Sequence, residues 1–169
     1  NISIHFFELD GVKAPWRKAM YTIHKGLDEY GKPRICMAKP LILVEGIDYG
    51  YRDYPKGLKD NKYGENGYVD LLKGKTWNVP AQLWEDWESI KDAPQVIDRL
   101  RKEGFDVVYV DFYDGAEDMN YNAEVLIGIL QELQRLSCGN EMHVVGVSMG
   151  GKVAKRALRL MELRNIPSC

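Results

Sequence analysis

No apolar run in this chain of 169 residues approaches the roughly 20 needed to cross a bilayer as a helix. That leaves no candidate membrane span. Excess charge of either sign is also lacking. The 23 Lys and Arg stand against 25 Asp and Glu, a formal charge of −2, so nothing suggests a surface for nucleic acid or anionic lipid. Cysteine is scarce: Cys36, Cys138 and Cys169 are widely separated, with no Cys-x-x-Cys pair. The spacing predicts isolated thiols rather than a disulfide framework or a zinc site, and leaves the redox compartment open. There is no internal repeat, no low-complexity tract and no visible signal peptide. The chain opens on Asn1 rather than Met, as an excised piece or a chain with its leader removed would.

What is present is enough for one domain with a real core, since 45% of residues are hydrophobic and 28% charged, ordinary values for a globular protein. Residues 1–7 are apolar-rich and read as a strand. Residues 18–25 roughly alternate and read as a second. After a polar connection over 26–32, residues 34–37 are expected to return on it as the other arm of an antiparallel hairpin. Residues 41–44, apolar throughout, read as a buried strand.

Residues 48–80 have a different texture, rich in Gly, Tyr, Lys, Asp and Asn and without a sustained period. That is long for a connection inside a domain, and Tyr49, Tyr51, Tyr54, Tyr63, Tyr68 and Trp77 make it unusually aromatic. It reads either as a cleft-lining segment or as a surface excursion packed on its own aromatics. Asp92-Ala93-Pro94-Gln95 carries helix-start chemistry; Val96, Ile97 and Leu100 follow at helical spacing, and Gly104 ends the helix. Residues 105–110 form the next buried strand. Ala123, Leu126, Ile127, Leu130 and Leu133 mark an amphipathic helix with Asn122 as its expected N-cap. Residues 142–145 form a further strand, and 151–164 a last helix. Alternating strands and helices imply an α/β fold with a mostly parallel sheet and helices on both faces.

The strongest functional signal is His143-Val144-Val145-Gly146-Val147-Ser148-Met149-Gly150-Gly151-Lys152. An apolar strand runs into Gly-x-Ser-x-Gly and then a helix, the context of a nucleophile elbow. The segment resembles the lipase and esterase-like members of the α/β-hydrolase superfamily, whose elbows read Gly-x-Ser-Met-Gly-Gly. The resemblance implies that Ser148 is the nucleophile and that the Met149 backbone N–H is one arm of the oxyanion hole. It also implies a second donor from the turn after an earlier strand. Glu45-Gly46-Ile47 matches that turn, so Ile47 would supply the N–H, and Glu45 stands where the family commonly has histidine. In such proteins the acid and histidine follow the serine. Residues 1–169 are therefore expected to be the N-terminal part of a single hydrolase domain, truncated after the helix that follows the elbow. The implied partners are an ester substrate and a missing C-terminal half. As a fragment it is expected to be inactive, with Val153, Ala157, Leu160 and Met161 incompletely buried. The resemblance implies no cofactor.

Other readings of the same residues exist. Gly146 to Lys152 also fits the Gly-x-x-x-x-Gly-Lys phosphate loop, but Val153 stands where Mg²⁺ coordination needs Ser or Thr. A hydrolase fold that only binds is a further alternative. His5, His24 and His143 fall in strands away from the elbow, and none is a good general base. Asp111, near the end of its strand, is a weak candidate for the triad acid, with hydrogen bonding in the following turn as the plainer role. Asp118, Asn120 and Asn122 have no third partner of metal-ligand type.

Overall fold

In the computed structural model, which describes residues 2–9, 18–46 and 96–167, every residue of the strand Asp106–Phe112 is buried. Its run of Val107, Val108, Tyr109 and Val110 explains why, since a strand covered on both faces has no solvent side to keep polar. Around it lie β1 (Ile2–Glu8), β2 (Lys18–His24), β3 (Pro40–Val44), α1 (Val96–Lys102), the central strand itself as β4, α2 (Met119–Leu136), β5 (His143–Gly146) and α3 (Met149–Leu163).

The sheet order is β1-β2-β4-β3-β5. β1 pairs antiparallel with β2 and β2 antiparallel with β4, whereas β3 runs parallel to both β4 and β5. The sheet is therefore mixed, half of its pairings antiparallel, where the sequence predicted a mostly parallel one. Alternation assigns its faces. Val108, Val110, Ile42 and Val44 pack with Leu126, Leu130, Val153, Ala157 and Met161 in the main core beneath α2 and α3. The intervening Tyr109 and Leu43 meet Ile97 of α1 on the opposite face. Helices thus cover both faces, as expected.

The hairpin expected between 18–25 and 34–37 does not form. Both edges of β2 are taken, by β1 and β4. Met37 instead donates its N–H to Leu136 O and accepts from the Cys138 N–H, tying this segment to the loop after α2. The Asp106 carboxylate, fully buried, accepts backbone N–H groups from Gly26 at 2.9 Å, Ala38 at 2.7 Å and Lys39 at 3.1 Å. The same region corrects the thiol reading: Cys36 and Cys138, 102 residues apart, form a disulfide with a Cα–Cα distance of 5.6 Å. Sequence spacing hid the pair because the two loops meet only once β3 and α2 are in place.

Two helix boundaries also shift. Asp118, not Asn122, caps α2, accepting from the Asn120 N–H at 2.7 Å; Asn122 is buried one turn in and donates Nδ2 to Asp114 O. α3 begins at Met149, two residues before the sequence suggested. Val153, Ala157 and Met161 are fully buried against the sheet, contrary to the expected exposure; Leu160 is only partly buried. Within the described sheet β5 is an edge strand, with Val145 45% exposed. The aromatic stretch 48–80 and the helix-start residues 92–95 lie outside the described residues. Among the described residues no helix is long and apolar enough to cross a membrane.

Candidate active site

Only Val147 and Ser148 connect β5 to α3. So short a link forces a sharp turn, and Ser148 takes it up with φ 51° and ψ −121°. This is a sparsely populated region for a residue bearing a β-carbon, and holding it costs about 1–3 kcal/mol. Its neighbours enforce it. Val147 donates its N–H to Val44 O at 3.1 Å, Gly150 to Val147 O at 2.8 Å and Gly151 to Ser148 O at 3.2 Å. A β-carbon at Gly146 would sit 2.5 Å from the Gly150 carbonyl, and one at Gly150 would overlap the carbonyl oxygens of Val44 and Glu45. Both motif glycines are thus required by close backbone approach.

Ser148 occupies the N-cap position of α3, but its side chain makes no cap hydrogen bond. A cap serine ordinarily turns its hydroxyl onto the helix's first N–H groups. Here the residue is exposed, and the hydroxyl is left for other chemistry. Met149 is the first helical residue; its N–H has no intrahelical acceptor, and the helix N-terminus favours negative charge beside it. A backbone donor and a partial positive charge therefore adjoin the serine hydroxyl.

The turn after β3 lies against the elbow. A β-carbon on Gly46 would be 3.1 Å from Ser148 Cβ and 3.8 Å from its Oγ. Ile47, the other expected oxyanion donor, lies outside the described residues. Glu45 is buried, 6% exposed, and its Oε2 accepts from the Tyr109 hydroxyl at 2.7 Å. Nothing local in the sequence points to this pairing, because the two residues are 64 positions apart.

Asp111 is buried within β4, opposite Met20 of β2. β4 and β5 flank β3, so Asp111 and the elbow are separated by two strand spacings, roughly 10 Å. The histidines stay apart from Ser148. His143 begins β5 and is exposed, at the far end of that strand; His24 ends β2, opposite Val107; His5 stacks on Tyr21 with ring centroids 4.8 Å apart. Among the described residues no group of three or more His, Cys, Asp or Glu could hold a metal ion.

The phosphate-loop alternative fits this geometry poorly. Such a loop needs several residues whose N–H groups face the phosphates. Here the strand runs up to Gly146, and the N–H groups of Gly150 and Gly151 are bonded back to the turn.

No family model matches the sequence, and no curated protein matches it. Among solved structures, the fold is similar to one described as "a putative lipase from Sulfolobus solfataricus", with a TM-score of 0.50 and 14% sequence identity. The match covers 96% of this chain and 41% of that one, so the chain spans about two-fifths of its neighbour's length. At that identity the likeness is one of fold alone, a mixed α/β sheet with helices on both faces.

Proposed function

We propose that the protein is a serine hydrolase acting on acyl esters through an acyl-enzyme at Ser148. The observation that carries the reading is the Ser148 backbone, held at φ 51° by a two-residue link with its hydroxyl unused by the helix it caps. In this mechanism Ser148 Oγ attacks the ester carbonyl and the alkoxide leaves. The Met149 N–H, joined by that of Ile47, stabilises the tetrahedral oxyanion. A general base must take the serine proton and return it to the leaving alkoxide. None of His5, His24 and His143 is placed to do so, so the reading takes the histidine from chain other than residues 1–169. Asp111 is kept as a candidate acid to orient it. The solved lipase-described neighbour supports the hydrolase class, and the reading requires no cofactor.

The test is labelling with a fluorophosphonate probe in a form of the protein that turns over p-nitrophenyl esters. Adduct mass on the peptide bearing Ser148, and loss of turnover by about 10⁶ in Ser148→Ala, are expected. A folded Ser148→Ala protein with undiminished turnover would overturn the assignment. Well-folded protein that neither labels nor turns over ester would instead favour a non-catalytic binding module on the same fold. A Lys152→Ala variant is expected to keep ester turnover within a few-fold. Mg²⁺-dependent nucleotide binding by the parent, lost in that variant, would revive the phosphate loop.

A further inference from the structure

We propose that Glu45 and Tyr109 act together as positioning residues that fix the turn after β3 against Ser148; this rests on the serine-hydrolase reading above. β3 pairs with β4 and β5 up to Val44, opposite Val110 on one side and Gly146 on the other. Beyond that point two backbone ties continue the pairing: the Glu45 N–H reaches Val110 O at 3.2 Å, and Val44 O receives the Val147 N–H at 3.1 Å. Gly46 follows at once, close enough that a β-carbon on it would lie 3.1 Å from Ser148 Cβ. A glycine in that place has maximal backbone freedom, so whatever holds residue 45 governs where Gly46 lies against the serine.

The side chain of Glu45 supplies that hold. Leu43 lies opposite Tyr109 in the parallel register, and two residues on, Glu45 emerges on the same sheet face. There its carboxylate meets the Tyr109 hydroxyl at 2.7 Å, with Tyr109 2% exposed and Glu45 6%. Burying a carboxylate is costly, and an apolar side chain of similar volume would fill the space without that cost. What the carboxylate adds is direction. A hydrogen bond to a tyrosine locked in the central strand fixes the side chain, and through it the carbonyl of residue 45, against which Gly150 packs. One residue thus touches both halves of the site: its side chain is anchored in β4 and its carbonyl abuts the first turn of α3. Oxyanion donors lose effect steeply when misplaced, so this anchor should show in kcat.

The experiment compares Tyr109→Phe, Glu45→Leu and Glu45→Gln in ester-active protein, reading kcat and KM separately. Tyr109→Phe removes the hydroxyl without changing volume, and Glu45→Gln keeps an acceptor for it. Tyr109→Phe and Glu45→Leu are each expected to lower kcat at least tenfold with KM within about twofold. Combining them should cost no more than the worse single change, and Glu45→Gln should recover most of what Glu45→Leu loses. Unchanged kcat in Tyr109→Phe and Glu45→Leu, or a loss confined to KM, would overturn the proposal. A second measurement is independent of catalysis. Amide hydrogen exchange of Glu45 should quicken at least tenfold in Tyr109→Phe while Ile42 and Leu43 are unchanged, and equal protection would overturn the anchor even in a protein without esterase activity. Failure of Ser148 to label in the parent would count against the serine reading alone, leaving the exchange result to decide the anchor.

Discussion

The α-carbon of Gly150 faces the carbonyl oxygen of Glu45 so closely that a β-carbon at position 150 would overlap it. The neighbour here is backbone at the end of a paired strand, which cannot rotate aside as a side chain would. Gly150→Ala should therefore destabilise the fold by about 3 kcal/mol, the upper part of the usual overpacking range. A denaturant midpoint within error of the parent would contradict this packing.

Replacements of Ser148 should separate strain from chemistry. Ser148→Ala keeps the β-carbon and the strained φ, whereas Ser148→Gly releases it. Both are expected to lose ester turnover, with the glycine variant the more stable of the two by about 1 kcal/mol. Equal stability of the two would show that the backbone at 148 is not strained.

Reducing the Cys36–Cys138 bond should lower stability by about 3 kcal/mol, because the closed loop is long and its cross-link limits the unfolded chain. Chemical unfolding with and without dithiothreitol checks this, with Cys36→Ser as a control that should behave like the reduced protein.

Asp106→Ala should be among the most damaging single changes. It leaves the N–H groups of Gly26, Ala38 and Lys39 without their acceptor; the buried Gly26 donor so stranded costs about 1–3 kcal/mol, and the part-buried donors of Ala38 and Lys39 less. A loss of several kcal/mol is expected by equilibrium unfolding, and a loss under 1 kcal/mol would mean that other acceptors replace the carboxylate.

Tyr21 predicts an alkaline limit. Its hydroxyl donates to Glu132 Oε2 at 2.8 Å; burial foremost, then that hydrogen bond and the adjacent charge, push its pKa above the ordinary tyrosine value. A phenol whose folded pKa is raised stabilises the fold fully below the unfolded value near 10. That contribution is lost as pH rises through the folded value, because the unfolded chain releases its proton first. Stability should fall with pH above about 10, and Tyr21→Phe should flatten that slope. An unaltered alkaline profile in the variant would refute it.

Local constraints were legible in the sequence and distant ones were not. Ser148 stood out because strand, glycines and helix within ten residues jointly impose its geometry, and β4 because an apolar run needs two covered faces. The partner of β2 is not legible locally because pairing depends on which edge is vacant, and β4, more than eighty residues on, takes the edge that 34–37 would need. Separations of 102 and 64 residues likewise hide the Cys36–Cys138 bond and the Tyr109–Glu45 contact. Asn122 and Asp118 offer the same capping chemistry, and only the path of the preceding loop selects Asp118.

The brevity of the link between β5 and α3 makes the site and the core turn as one gear. An α-helix advances about 100° per residue, so inserting a single residue before Met149 and keeping the link tight would rotate every side chain of α3 by that angle. Lys152 and Arg156 would swing into the places of the buried Val153 and Ala157, and Leu160 into that of Met161. Letting the extra residue bulge instead would spare the core but lift Ser148 off its turn. The reach of the serine is thus fixed by the phase of the helix behind it, and variation around this site must come from other segments of the chain.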